Sequence, residues 1–378
     1  MKTICKADDC FGCLACANVC PKNCISVGTD NNGFICPVVD ESRCIECNRC
    51  VKVCPANNPL PLNRPLNVYA GQMSSKEAAM NSTSGGLFQA LALYFLSIGG
   101  VVCAARQELD TSLHHVMVHN EDELRRCLKS KYYQSSVGSS YREIRDLLRN
   151  DIKVLFCGTP CQVAGLLSYL GKNTSGLLTC DLVCHGTPSK KVVDRYIADK
   201  EKIYHSKLKE IQFRDKEHGW AAMRMSMKFD NGNRYSETAG NDAFYFGFFH
   251  GLYYRKSCYT CPFAKSDRIG DITLGDFWGI EDTKTELDPQ KGISLIIVNT
   301  EKGSNLLSQI KDAVNMEPHT MEEARKKNHN LNGPSRRNPN YGRFYALLDR
   351  HSLRYSLFMS LPLRYIKFRL KYFLKKII

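Results

Sequence analysis

The chain of 378 residues is 43% hydrophobic and 24% charged, which is typical of a folded globular protein with room for two domains. Its net charge is +14, and the segment from His351 onward contributes half of that excess because it holds seven Lys or Arg and no acidic residue. The remaining basic residues are spread over a large body without a known nucleic-acid-binding motif, so the composition argues against a nucleic-acid-binding protein.

The N-terminal region contains the most specific pattern in the chain, a C-x2-C-x2-C-x3-C-P motif that occurs twice. The motif cysteines are Cys10, Cys13, Cys16 and Cys20 in the first copy, and Cys44, Cys47, Cys50 and Cys54 in the second. Each compact triple can supply three thiolates to one 4Fe-4S cluster, and the fourth ligand then comes from the other copy. The predicted ligand sets are Cys10, Cys13, Cys16 and Cys54 for one cluster, and Cys44, Cys47, Cys50 and Cys20 for the other. Zinc and a disulfide scaffold are the alternatives, but zinc sites usually show two C-x2-C pairs rather than triples.

These motifs set the predicted domain organisation. Residues 1–57 resemble a bacterial two-cluster ferredoxin, for which we expect an α+β ferredoxin-like fold, and the proline-rich residues 58–66 form an extended linker. Residues 67–320 form a larger α/β domain, and residues 321–378 form a basic C-terminal extension. Only nine residues precede the first cluster ligand, too few for a signal peptide, and cluster thiolates require a reducing compartment. We therefore expect the protein in the cytoplasm.

The larger domain begins with a loop of small residues, 82–86, which leads directly into an apolar run at 87–96 that predicts a helix with Ser or Thr as its N-cap. Backbone N–H groups at such a helix start favour a phosphate, here the pyrophosphate of a dinucleotide. A simple capped turn explains the pattern equally well. A buried strand is predicted at 101–105.

Two strand-turn-helix units with cysteine in the turn come next. The apolar runs at 152–156 and 177–183 predict strands, and each is followed by a Gly-Thr-Pro turn and a helix start. Ligands bind at such strand ends in open α/β sheets, and the alternation of elements predicts a mixed, partly parallel sheet. The remaining predicted elements are a β-hairpin over 223–237, helices over 244–254 and 304–314, strands over 271–276 and 294–298, and a surface loop over 326–342.

From Leu363 the tail predicts a basic amphipathic helix. Its apolar face carries Leu363, Ile366, Leu370, Phe373, Leu374 and Ile377, and its basic face carries Arg364, Lys367, Lys371 and Lys375. Such a helix either docks on an anionic membrane surface or an acidic partner, or it packs on its own domain with a solvated basic face.

Six motifs in the body of the chain resemble the beta subunits of coenzyme F-420 hydrogenase and F-420-linked formate dehydrogenase, a family that also includes reductases of chlorophyll metabolism. They are STSGGL at 82–87, SKYYQSS at 130–136, GTPCQVAGL at 158–166, CHGTPS at 184–189, FRDKEHGW at 213–220 and CYTCPFAKSDRIGDITLGDFWG at 258–279. The resemblance implies FAD, an iron–sulfur cluster close to it, and exchange of a hydride at the flavin with single electrons at the clusters.

The resemblance also implies residue roles. Four cysteines inside the matching motifs are expected to bind a third 4Fe-4S cluster, unless they are structural or catalytic thiols: Cys161, Cys184, Cys258 and Cys261. The residues expected at FAD are Ser84, Gly85 and Gly86 at the phosphates, Lys131, Tyr132 and Gln134 near the ring or ribityl chain, and Gly158 and Thr159. His185 is expected to handle protons beside the flavin, unless its ring is bonded to backbone. Arg214 and Lys216 either hold an anionic substrate or make salt bridges.

Together these patterns predict a cytoplasmic iron–sulfur flavoprotein. It would pass electrons between a ferredoxin-type or other redox partner and a small organic substrate or a deazaflavin-type coenzyme, with FAD as the converter between hydride and single-electron chemistry. The alternative is a non-catalytic subunit that relays electrons to a partner enzyme. If the C-terminal helix docks on lipid, the protein is peripheral at the inner face of the membrane.

Overall fold

The computed structural model describes residues 3–377, and side chains through residue 370. In the N-terminal module a β-hairpin lies between two short helices: α1 (Ala15–Val19), β1 (Ile25–Thr29), β2 (Ile35–Val39) and α2 (Arg49–Lys52). The hairpin turn closes because the Asp30 carboxylate accepts hydrogen bonds from the N–H groups of Asn32 and Phe34. Gly33 supplies the positive φ, 81°, that the turn requires. The module thus has the expected ferredoxin-like plan.

The larger domain is built on two sheets. Its strands are β3 (Asn67–Met73), β4 (Val101–Gln107), β5 (Leu113–Val118), β6 (Val154–Gly158), β7 (Leu177–Leu182), β8 (Leu208–Asp215), β9 (Arg224–Phe229), β10 (Arg234–Thr238), β11 (Ile272–Asp276), β12 (Ser294–Val298) and β13 (Val314–His319). The large sheet has the order β13-β3-β12-β11-β7-β6-β4-β5, and β8, β9 and β10 form a separate antiparallel sheet. Central strands β4, β6, β7 and β11 are parallel, while the outer pairs are antiparallel. The expected mixed, partly parallel sheet is confirmed.

Helices cover both faces of the large sheet. The helices of this domain are α3 (Lys76–Asn81), α4 (Leu87–Ser97), α5 (Glu121–Arg125), α6 (Ser140–Arg149), α7 (Pro160–Leu170), α8 (Lys190–Tyr204), α9 (Ala243–Phe249), α10 (Glu301–Gln309), α11 (Met321–Lys327), α12 (Tyr341–Leu348), α13 (Leu353–Ser360) and α14 (Pro362–Ile377). Residues of α4 and α10 share a core with one face of the sheet, and residues of α6 and α7 share a core with the other. The second sheet packs with α8, α9, α12 and α13 in an aromatic-rich core.

The N-terminal module is packed against α6 and α7 rather than held only by its linker. Leu14 and Ala15 belong to the same buried core as Val163 of α7. The Arg142 guanidinium donates from Nε to the carbonyl of Asn18 at 2.7 Å and from Nη2 to that of Ala17 at 2.7 Å. The cysteine-rich module therefore packs on the helices α6 and α7, which cover this face of the sheet.

The first turn of α7 is fixed by its sequence. Pro160 occupies the first helical position, and Thr159 caps the helix in a reciprocal capping box with Gln162. The Thr159 N–H donates to Gln162 Oε1 at 3.0 Å. This local geometry sets the position of Cys161 at the carboxyl end of β6.

Several predicted elements differ from those observed. The predicted helix at 304–314 is α10 (Glu301–Gln309), and Val314 instead begins β13, an edge strand. The predicted helix at 244–254 ends at Phe249 because Gly251 turns the chain with a φ of 61°. The expected Ser or Thr cap of α4 is wrong, since left-handed Gly86 occupies that position. Strands β3, β5, β8 and β13 were not predicted, and they lie in segments without clear alternation.

In the part of the C-terminal helix α14 whose side chains are described, one side packs on the domain and the other is exposed. Tyr365 and Phe368 lie against the Phe246 ring, with centroid distances of 5.2 and 4.8 Å. Leu363 is 83% exposed, Ile366 45% and Leu370 57%. The further predicted face residues Lys371, Phe373, Leu374, Lys375 and Ile377 lie outside the described side chains. Among the described helices, none is long and apolar enough to cross a membrane.

Candidate iron–sulfur and cofactor site

Four cysteines from distant parts of the chain line one pocket at the carboxyl ends of β6 and β7. Cys161 comes from the first turn of α7, Cys184 follows β7, and Cys258 and Cys261 belong to a short 3₁₀ segment and its end. These are the four thiols expected to bind a third cluster, and the structure brings them together. Four sulfur donors around one pocket are the donor set that a 4Fe-4S cluster requires.

The environment of this pocket keeps free thiols protonated. Burial raises the pKa of Cys161 to about 12 and that of Cys184 to about 11. Thr159 Oγ1 lies 3.2 Å from Cys161 Sγ, so the residue that caps α7 also forms a hydrogen bond with this sulfur. Because metal ligation requires thiolates, binding of iron here would release protons and would supply the positive charge that stabilises the sulfurs.

A second pocket contains the crossed-over ligand set of the N-terminal module. Cys20 lines it together with Cys44, Cys47 and Cys50, and Lys22, Ile45 and Arg49 form part of its rim. Cys47 is exposed to solvent. The structure therefore places Cys20 with the second cysteine triple, as the motif predicts, and places this site at the surface of the protein.

The other predicted set, Cys10, Cys13, Cys16 and Cys54, lies deeper in the module. Cys13, Cys16 and Cys54 are buried. Burial together with the charges of Cys10 and Cys54 raises the pKa of Cys16 to about 12, which reflects how close these sulfurs are. Among the described residues, no three metal-binding side chains converge on a single ion. A cube instead takes one thiolate at each iron corner.

The three cysteine sets follow one another through the protein. Cys44 and Cys50 pack against the buried cluster that holds Cys16 and Cys54, and Cys161 packs against the core that holds Cys13, so the buried set lies between the exposed set and the sheet-edge pocket. Helix α7 approaches Cys13 closely at Gly165, where a β-carbon would lie only 2.9 Å from Cys13 Sγ. The geometry gives a route from the exposed Cys47 site to the strand ends of the large sheet.

Beside the four-cysteine pocket, the remaining sequence motifs converge. The Ser130 N–H donates to Thr83 Oγ1 at 2.6 Å, which joins the 82–86 loop to the 130–136 segment. Arg214 on β8 forms an ion pair with Asp276 at the end of β11 at 2.8 Å. Asp276 also accepts a hydrogen bond from Trp220 Nε1 at 2.6 Å. Motifs that are far apart in sequence thus form one site at the sheet edge.

Aromatic rings flank this site. The Trp220 and Trp278 rings stack at 4.8 Å with an interplanar angle of 6°, and the Arg214 guanidinium lies 5.2 Å from the Trp278 ring centroid. Tyr132 stacks on Phe213 at 5.8 Å. Asp276 and Trp278 were not assigned from the sequence, although Asp276 ends a predicted strand and Trp278 follows it in a matching motif.

Two buried lysines carry charge without a carboxylate partner among the described residues. Lys216 Nζ donates to the carbonyls of Ala79, Ser84 and Lys291, and Lys131 Nζ donates to those of Ala105, Cys127 and Leu128. Burial lowers the pKa of Lys216 to about 7 and that of Lys131 to about 8. Unlike the two lysine ammonium groups, Arg214 Nη2 is buried with no hydrogen-bond partner among the described residues. At pH 7 Lys131 is largely protonated and Lys216 about half so, and positive charge near the 82–86 loop fits an anionic ligand such as a dinucleotide.

The residues expected at FAD are not all in one place. The 82–86 loop is fixed to the sheet, since Ser84 Oγ donates to the Ile293 carbonyl and the Gly85 N–H donates to Ser294 Oγ, both at 2.9 Å. Gln134 points away from this loop and donates to the Phe11 carbonyl of the N-terminal module at 2.9 Å. Thr159 lines the four-cysteine pocket, and Gly158 immediately precedes it.

His185 lies between the pocket and the converged motifs. Its ring packs 5.9 Å from that of Phe248, and its carbonyl accepts a hydrogen bond from Ser335 Oγ at 2.6 Å. Burial, reinforced by the charge of His329, lowers the pKa of His185 to about 4. The imidazole is therefore neutral at pH 7.

Fold and site together define a 4Fe-4S electron-transfer protein of an oxidoreductase class. Models of the 4Fe-4S dicluster domain match residues 9–58 and 36–89. The coenzyme F420 hydrogenase/dehydrogenase beta-subunit models match residues 68–141 with the N-terminal part and residues 151–324 with the C-terminal part. The chain belongs to this beta-subunit family, and the resemblance inferred from the six motifs is confirmed.

A solved structure of the F420-reducing NiFe hydrogenase complex from Methanosarcina barkeri contains a chain of similar fold. The two share 17% sequence identity with a TM-score of 0.50, and the alignment covers 72% of this chain and 90% of the other. At that identity the likeness concerns the fold alone. No curated protein matches the chain.

Proposed function

We propose that the protein is an FAD- and iron–sulfur-dependent oxidoreductase that passes electrons between a ferredoxin-type partner and a small organic substrate or deazaflavin-type coenzyme. The observation that carries this proposal is that Cys184 of the four-cysteine pocket follows β7, while Asp276, the ion-pair partner of Arg214, ends β11, the parallel neighbour of β7. When bound, FAD exchanges a hydride with a substrate and single electrons with iron–sulfur clusters.

Different residues at this site would bind the FAD phosphates, bind the anionic group and transfer the proton. The 82–86 loop, with the Lys216 ammonium bonded to its Ser84 carbonyl, holds the phosphates. Arg214 is oriented by Asp276 and covers the Trp278 ring, so it presents a donor and a positive charge to a planar anionic group. We assign proton transfer to His185 because it follows Cys184 at the strand ends, with its ring packed 5.9 Å from that of Phe248.

The cysteine sets supply the route for electrons. Cys161, Cys184, Cys258 and Cys261 would hold the third cluster, next to the flavin site. The exposed Cys47 site, with Ile45 on its rim, would receive electrons from the partner or deliver them to it. Since all three sites need reduced thiols, we place the protein in the cytoplasm.

The test is anaerobic purification with iron, acid-labile sulfide and released flavin measured on one sample. We expect about twelve irons and about one FAD per chain. Cys258→Ala should lose about four of these irons, whereas Cys127→Ala, a buried cysteine outside the pocket, should lose none. About eight irons and no flavin, even after reconstitution, would reject the enzyme and leave a relay subunit that passes electrons to a partner.

We also propose that α14 docks on an anionic membrane surface at the inner face of the membrane. Its exposed residues Leu363, Ile366 and Leu370 alternate with the basic residues Arg364 and Lys367, and no acidic residue follows His351. Apolar side chains that enter the headgroup region, bordered by cations that pair with anionic lipids, are the two signals of an interfacial helix.

A further inference from the structure

A single buried arginine, Arg255, lies between the N-terminal module and the four-cysteine pocket. It immediately precedes the 3₁₀ segment that carries Cys258, and it lines the pocket. Its side chain reaches back into the module, where Nη1 donates to the Cys10 carbonyl at 3.1 Å and Nη2 donates to the Ile35 carbonyl. The residue is 6% exposed. One guanidinium thus contacts the backbone of a proposed ligand of one cluster while bordering the proposed site of another.

Arg255 has no carboxylate partner among the described residues, and its guanidinium lies 5.1 Å from the centroid of the Phe34 ring. Its acceptors are neutral, namely two carbonyls and Gln134 Oε1 at 2.7 Å, and its Nε has no hydrogen-bond partner. Burial of an unpaired charge is costly, so a compensating negative charge is expected nearby.

The other arginine of the same pocket, Arg268, has the carboxylate partner that Arg255 lacks. It is paired with Asp181 at 2.9 Å, and both side chains are almost completely buried. Arg268 and Asp181 therefore cancel, and the net positive charge of the pocket wall comes from Arg255. A cluster with four thiolate ligands is negatively charged, and its charge becomes more negative on reduction, so it would provide the missing compensation.

We propose that Arg255 is a positioning residue for electron transfer, whose charge raises the reduction potentials of the clusters at the Cys10 set and at the four-cysteine pocket. This inference rests on the proposed third cluster. Net charge and hydrogen bonding around a cluster are among the main determinants of its potential. With Arg255 between them, both clusters would accept electrons from the more exposed Cys47 site more readily than without it.

The experiment is a potentiometric titration of the full-length, anaerobically purified protein, followed by electron paramagnetic resonance. For Arg255→Gln we expect two of the three clusters to become at least about tenfold harder to reduce, which is about 59 mV for a one-electron couple. Arg255→Lys keeps the charge and should stay close to the wild type. The cluster at the Cys47 site serves as the internal reference and should not move.

Ser257 provides the matched controls. Ser257 Oγ donates to the same Cys10 carbonyl at 3.0 Å but carries no charge. Ser257→Ala should leave all potentials unchanged if charge is the cause, whereas a merely structural role of the Cys10 contact would make it behave like Arg255→Gln. If Arg255→Gln does not load iron, Ser257→Asp replaces it as the test variant. A carboxylate beside Arg255 would neutralise the guanidinium and lower the same two reduction potentials. Ser257→Asn adds no charge and should leave both potentials unchanged.

The outcomes separate this inference from the proposed function. Wild-type protein with about twelve irons, combined with unchanged potentials in Arg255→Gln or in Ser257→Asp, overturns the role of Arg255 alone. Wild-type protein with about eight irons overturns the third cluster, and the same variants then test Arg255 against the Cys10 set only. A similar shift in the reduction potentials of all three clusters would also overturn the role of Arg255, since a local charge affects the nearest clusters most.

Discussion

His115 on β5 is a buried histidine that the chain holds neutral. Its Nδ1 lies 3.0 Å from Ser135 Oγ and its Nε2 3.1 Å from the Cys157 carbonyl, and its ring stacks on Phe156 at 5.1 Å. Burial lowers its pKa to about 4. An unfolded histidine titrates near pH 6.5, so between pH 6.5 and 4 the unfolded chain binds more protons than the folded one. Folding stability is therefore lost as the pH falls through this window.

The first prediction concerns that pH dependence. Between pH 7 and pH 4.5, His115 should account for a loss of about 2 to 3 kcal/mol in the free energy of unfolding. His115→Gln should reduce the slope of the urea midpoint against pH, measured by circular dichroism, although it lowers stability at pH 7. His114→Gln, on the exposed face of the same strand, is the control. Equal slopes for both variants would contradict the assignment.

The second prediction concerns the cation behind the 82–86 loop. Lys216→Met should weaken FAD binding by about tenfold, about 1.4 kcal/mol, because it removes both a buried positive charge and the bond to the Ser84 carbonyl. The measurement is fluorescence titration of the apoprotein with FAD. The control is Lys209→Met, at an exposed lysine on β8, the strand that Lys216 directly follows; this variant should bind FAD as the wild type does. If both variants bind FAD equally, the loop is not the phosphate site.

At the scale of elements, α14 combines a packed side and an exposed side. We expect the protein to bind vesicles of phosphatidylcholine with phosphatidylglycerol, to ignore vesicles of phosphatidylcholine alone, and to dissociate as salt increases. Ile366→Asp should abolish sedimentation with the vesicles. Ile203→Asp, a change at a similarly exposed position on α8, should not. Failure of the unaltered protein to bind anionic vesicles at low salt would reject lipid as the occupant of this face.

The elements that sequence patterns predicted are those with strong local signals. The strand-turn-helix at Pro160 and the strand at 294–298 depend on turn chemistry, capping or an uninterrupted apolar run. Strand β13 has none of these signals. It contains Pro318 and polar residues, and it exists because β3 offers it a free edge to pair with.

The same limit applies to the site. Spacing predicts how the eight N-terminal cysteines divide into two ligand sets, because a cluster imposes a fixed pattern on a short loop. The roles of Gln134 and Arg255 could not be predicted, since their partners are backbone carbonyls more than 100 residues away. Lys216 was expected to meet a substrate or an acid, but three main-chain carbonyls hold it instead.

At the scale of the whole molecule, the three cysteine sets form a series that begins at the exposed Cys47. Cys47→Ser should lower iron content by up to about four atoms and should slow reduction of the flavin by reduced ferredoxin by more than tenfold. Flavin content should remain, because this site is distant in the series from the 82–86 loop. Cys36→Ser, in β2 of the same module, should leave both iron content and the reduction rate unchanged. Fast flavin reduction in Cys47→Ser would mean that electrons enter elsewhere.

The larger domain contacts the N-terminal module partly through hydrogen bonds to its main chain. Five side chains of the body, Gln134, Arg142, Lys191, Arg255 and Ser257, donate hydrogen bonds to main-chain carbonyls of the module. Every polypeptide offers such carbonyls, whatever its side chains. Grafting of another two-cluster ferredoxin should therefore succeed if it keeps the side chains that pack on the larger domain, such as Leu14 and Ala15, and keeps glycine at position 12, where a β-carbon would lie 2.7 Å from Arg255 Nη2.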